Sequence, residues 1–100
     1  MQKTAAECAS MADIRAEIDR LDRSLMALFA ERWTYIDRAG EIKKGLGLKA
    51  DIPERVDEVR ENARKNATAA GLDPQFYADI WAQLIQHSIE HEQIALGETK

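Results

Sequence analysis

Apolar residues recur with a helical step through most of the chain. From about Ala12 or Asp13 to about Lys44 they fall at Ile14, Ile18, Leu21, Leu25, Leu28, Ile36 and Ala39. Those steps of four and three, broken by one gap, make a narrow stripe of the coiled-coil kind. Ser10 or Asp13 is placed to cap the start, and Gly45 to stop the helix. A shorter second helix is predicted to begin at Pro53, a favoured first-turn residue, and to end at Gly71. Its inner edge carries Val56, Val59, Ala63, Ala67 and Ala70. A third opens with Asp73 as cap and Pro74 in the first turn, presenting Tyr77, Ile80, Trp81, Leu84, Ser88 and Ala95 on one face, with Ile85 and Ile89 beside it. No run alternates with period two, so strands have no support. The pattern predicts an all-α fold of three helices, long, short and long.

The first helix poses a size problem. Some 32 residues at 1.5 Å each make a rod of roughly 48 Å. A compact domain of this length has a radius of gyration near 13 Å, so the remaining residues cannot cover the rod. A second copy of the chain is the natural cover, because two-fold dimers are the commonest assembly. The alternative is a bend at Gly40, inside the rod.

Composition narrows the function classes. One hundred residues allow a single domain, and 45% apolar with 32% charged content is ordinary for a globular chain. A net charge of −4 offers nucleic acid no electrostatic footprint. No apolar run approaches the ~20 residues of a membrane span. The opening MQKTAAECASMAD predicts no secretory signal, and Cys8 alone forms no internal disulfide. A cytoplasmic location is expected.

The gap in the stripe carries the first chemical signal. At 100° per residue from Ile14, Arg32 returns to about 0° and Lys43 to about 20°, with Arg15 at the border. Cations in an apolar seam need a negative partner, because an unpaired buried charge costs several kcal/mol. That partner is an internal carboxylate or an anionic ligand; alternatively, the side chains snorkel outward. In the third helix Ser88 falls about 20° and Glu92 about 60° from Tyr77. The plain reading of Ser88 is a hydroxyl bonded to the carbonyl one turn back, and that of Glu92 is a partner for one of the cations. Together these groups resemble a polar pocket between helices. His87 and His91 stand one turn apart, but two ligands fall short of a metal site. There is no phosphate loop, no cysteine pair and no Ser-His-Asp pattern, so no metal or cofactor is predicted.

The stretches ADIRAEIDRLDRSLMALFAER, GEIKK, IPERV and GLDPQFYADIWAQLIQHSIEHEQ resemble the all-helical chorismate mutase family over residues 12–96. The resemblance implies a three-helix protomer in an intertwined homodimer, with two equivalent sites shared between chains. It implies that Arg15 reaches a substrate carboxylate across the interface, that Arg32 holds a carboxylate within its own chain, and that Lys43 addresses the ether oxygen and a carboxylate. Arg55 matches a further family cation near the substrate, and Ser88 a serine that helps bind a carboxylate. Glu92 stands where the family usually has Gln, although some members carry Glu. Ile52 and Val56 fall where many members carry acidic residues for the substrate hydroxyl. These are the two departures from the family pattern.

The implied activity is the rearrangement of chorismate, a small dianion, to prephenate. The reaction is pericyclic and requires no nucleophile, metal or redox cofactor. Lys43 and Glu92 would bracket the ether oxygen, where negative charge grows. The same scaffold hosts isochorismate pyruvate lyase, used in salicylate formation, which Ser88 and Glu92 disfavour. A helical dimer that binds partner proteins without catalysis is the third reading.

Overall fold

A computed structural model of the protein describes residues 2–98. A single 3-10 turn over Ala5–Glu7 precedes α1 (Met11–Leu46), α2 (Pro53–Ala69) and α3 (Pro74–Leu96), with no strand among the described residues. The chain divides into two compact units after Tyr35.

In the first unit the helix start is built by short polar side chains. The Thr4 hydroxyl accepts from the Glu7 amide at 3.3 Å, and the Glu7 carboxylate accepts from the Thr4 amide at 2.8 Å, a reciprocal capping box. Ser10 then caps α1, its hydroxyl accepting from the Asp13 amide at 3.1 Å. Asp13 supports the cap instead of making it: its carboxylate accepts from the Ala9 amide at 3.0 Å and pairs with Lys3 at 3.3 Å. The apolar stripe that follows is exposed over about half or more of its surface. Ile18, Leu21, Leu25 and Leu28 are 50%, 50%, 49% and 62% exposed.

The second unit holds the buried core. Ala63 and Ala67 of α2 and Ala78 of α3 are buried, and such small side chains let helix axes approach closely. Ala50, Ile85 and Ile89 form the centre, with Val56, Val59 and Leu96 packed on it. The buried line of α3 therefore runs through Ala78, Ile85, Ser88, Ile89 and Glu92, not through the Tyr77–Trp81 side expected from the apolar periodicity. Ala70 and Ala95, expected on inner faces, are exposed. Close packing against alanines favours the small Ala78 over its aromatic neighbours.

Glycine ends all three helices in the same way. Gly47, Gly71 and Gly97 adopt φ of 68°, 76° and 72°, which costs an L side chain but not glycine. Each is followed by an amide that reaches back five residues: Leu48 to the Lys43 carbonyl at 2.9 Å, Leu72 to Ala67 at 2.8 Å and Glu98 to Gln93 at 2.8 Å. The stop of α1 is thus Gly47 and not Gly45, which lies inside the helix. Proline sets the starts of α2 and α3, and Asp73 caps α3 by accepting from the Gln75 and Phe76 amides at 3.0 and 3.3 Å.

Candidate active site

The second unit brings two of the sequence-predicted residues together. Lys43, on the last turns of α1, places its ammonium 3.0 Å from Oε1 of Glu92 on α3, with the side chains 18% and 8% exposed. The same ammonium donates to the Ala50 carbonyl at 3.0 Å. Glu92 Oε1 is buried and, although within ion-pair distance, lies outside hydrogen-bonding geometry. An ammonium carries three donors, and among the described residues only the Ala50 carbonyl takes one in hydrogen-bonding geometry. A buried ion pair of this kind is weak as a stabilising device, because desolvation offsets the attraction. It is well suited to a place where charge must be met.

Gly40 explains how α1 and α3 come this close. It is the buried residue of α1, and a Cβ there would lie 3.7 Å from Glu92 Cγ. Helical structure continues through Gly40, so the glycine marks a close approach and not a break in the helix. One turn before it, the Asp37 carboxylate meets His91 Nε2 of α3 at 2.5 Å. This contact went unread in the sequence, where His91 showed only a one-turn spacing from His87. Ser88 is buried and donates to the Leu84 carbonyl at 2.9 Å, the one-turn-back arrangement.

The other predicted residues stand differently. Ile52 is half-buried at the entry to α2, where its carbonyl accepts from the Arg55 and Val56 amides at 2.9 and 3.0 Å. Val56 is half-buried and packs on the core cluster. Arg55 is exposed and pairs with Glu58 one turn on. In the first unit Arg15 is exposed and Arg32 half-buried. Neither guanidinium forms an ion pair among the described residues. The same residues contain no group of three potential metal ligands.

Comparison with known proteins gives this arrangement a family. The chorismate mutase type II family model matches residues 14–93. A chorismate mutase of Methanocaldococcus jannaschii is 31% identical over 90 residues, covering 90% of this chain and 91% of the relative. An isochorismate pyruvate lyase of Pseudomonas aeruginosa is equally similar, 31% over 90 residues, covering 90% and 88%. The T-protein of Enterobacter agglomerans is 31% identical over 84 residues, or 84% of this chain, which spans only 22% of that longer relative. The three-helix chain and these matches agree: the protein belongs to the chorismate mutase type II family.

Proposed function

We propose that the protein is a chorismate mutase, converting chorismate to prephenate as one functional domain in a cytoplasmic homodimer with shared sites. The observation that carries this reading is the buried ion pair of Lys43 and Glu92, with donors of the ammonium left over. In the rearrangement the ether C–O bond breaks as a C–C bond forms within one molecule, and negative charge grows on the ether oxygen. A preorganised ammonium aimed at that oxygen lowers the barrier. Glu92, paired with that ammonium, brackets the same oxygen. Arg15, Arg32 and Arg55 fix the two carboxylates and Ser88 assists, so the flexible substrate is held in its compact reactive shape. Family membership supports these roles. The half-buried Arg32, which forms no ion pair among the described residues, also fits an anion-binding task better than a purely structural one.

The dimer rests on the uncovered stripe of α1, where Ile18, Leu21, Leu25 and Leu28 are half-exposed or more. A second copy laid along it buries what the chain leaves open. Ile52 and Val56 offer hydrocarbon and no acceptor to a ring hydroxyl, and this departure favours testing the lyase reading alongside. Purified protein is given chorismate and isochorismate in separate reactions. Prephenate from the first supports the mutase. Salicylate and pyruvate from the second, with chorismate untouched, would replace it with the lyase.

A further inference from the structure

Ala50 lies in the segment between α1 and α2, outside regular structure yet only 3% exposed. Buried backbone outside helices needs partners for both of its polar groups. Ala50 finds both in side chains: its amide donates to Glu98 Oε2 at 2.9 Å, and its carbonyl accepts from the Lys43 ammonium at 3.0 Å. One peptide residue thus joins the residue just beyond α3 to the cation of the candidate site.

Glu98 is aimed by the helix end before it. Gly97 turns the chain at φ 72°, and the Glu98 amide then bonds the Gln93 carbonyl at 2.8 Å. This fixes the Glu98 backbone and leaves its carboxylate to reach Ala50, 48 residues away in sequence. The other end of the segment is fixed in the same way, because Leu48 bonds back to the carbonyl of Lys43 itself at 2.9 Å. Ala50 is therefore held by Glu98 on one side and holds Lys43 on the other.

We propose that Glu98 is a positioning residue for Lys43, acting through the Ala50 peptide. The proposal deepens the mutase reading and rests on Lys43 addressing the substrate. Without Glu98 the buried Ala50 amide loses its acceptor, the segment moves to find water, and its carbonyl no longer fixes the ammonium. A displacement of about 1 Å at such a group can cost about a hundredfold in rate.

The test compares wild type with Glu98→Ala, Glu98→Asp and Glu98→Gln, by kinetics on chorismate and by NMR of the Ala50 amide and Lys43 side chain. Glu98→Ala should lower kcat by about tenfold or more with KM little changed, the pattern for an interaction strengthened in the transition state. Its Ala50 amide should exchange faster, and the Lys43 side-chain resonances should shift. Glu98→Gln keeps an acceptor oxygen and should restore both readouts towards wild type. Glu98→Asp, one methylene shorter, should fall between and carries the test should Glu98→Ala not fold. Unchanged Lys43 resonances and unchanged kcat in folded Glu98→Ala or Glu98→Asp would overturn the proposal. The NMR readouts need no turnover, so failure of the mutase reading appears separately, as a wild type inactive on chorismate.

Discussion

The two units of the chain solve the problem of burial in opposite ways. From Ile36 onward, helices meet through alanines, and a small core of Ala50, Ile85 and Ile89 closes around a buried ion pair. Up to Tyr35 the helix keeps a regular apolar stripe that stays half-exposed, and its start is secured by caps. The first pattern belongs to a region that carries its own fold. The second leaves an apolar surface for which the proposed dimer supplies a cover. Both patterns are written with the same helix-forming residues, so propensity alone does not separate them; exposure does.

The largest effect should come from a charge placed on the stripe. On a monomer, Leu25→Asp at a half-exposed position changes stability by only about 0.5 kcal/mol. On a dimer it buries an unpaired charge and costs several kcal/mol, so the variant should sediment as monomer, lose helix on dilution and lose activity. A folded, active Leu25→Asp protein would remove the stripe from the account.

A change in the second unit should leave assembly alone. Glu92→Ala should lower turnover about 10²–10³-fold while sedimentation stays as in wild type. Glu92→Gln keeps the shape, removes the charge and supplies a permanent donor, so it should retain activity that Glu92→Ala loses. A dead Glu92→Gln would assign Glu92 a task that needs its charge.

Within the core, Ile85→Ala should destabilise by about 2–5 kcal/mol by deleting buried methyl groups, read as a lower denaturation midpoint with unchanged slope. The exposed Ile94 offers the contrast. Ile94→Ala should cost about 0.5 kcal/mol or less unless a partner covers it.

The three-helix order was legible because Pro53, Pro74, Gly71 and the Asp73 cap are local signals that tertiary contacts did not override. The choice between Gly45 and Gly47 was not. Both glycines suit a helix end, and the outcome depends on which one lets the next amide reach the Lys43 carbonyl. Lys43 and Glu92 stood out because each falls on or beside an apolar face, and a charge there must find a partner. The Thr4–Glu7 capping box went unread, although its T-x-x-E spacing carries the signal. Contacts such as Glu98 with Ala50 and Asp37 with His91 leave no periodic trace. They join distant residues, and only the packed helices bring those residues together.

The smallest effects belong to the first unit's caps. The Thr4 backbone amide holds the Glu7 carboxyl below its ordinary range, the Ala9 amide and Lys3 do so for Asp13, and Arg20 for Glu17. A carboxyl depressed in the folded state stabilises it above the unfolded value, near pH ~4, and that support is lost as pH falls through the folded value. Acidification below about pH 4 should therefore fray the start of α1, seen as faster amide exchange at Asp13 while the Ile85 and Ile89 amides stay protected.

The claim that the uncovered helix completes its partner's site is tested by mixing two inactive chains. Arg15→Ala and Arg32→Ala proteins are assayed on chorismate alone, then unfolded together, refolded and assayed again, with mixed dimers verified by mass. If Arg15 serves the partner's site, each mixed dimer has one site with both lesions and one with neither. Activity should then return to about a quarter of wild type, because random pairing makes half of the dimers mixed. Mixed dimers that form and remain inactive would contradict the shared site.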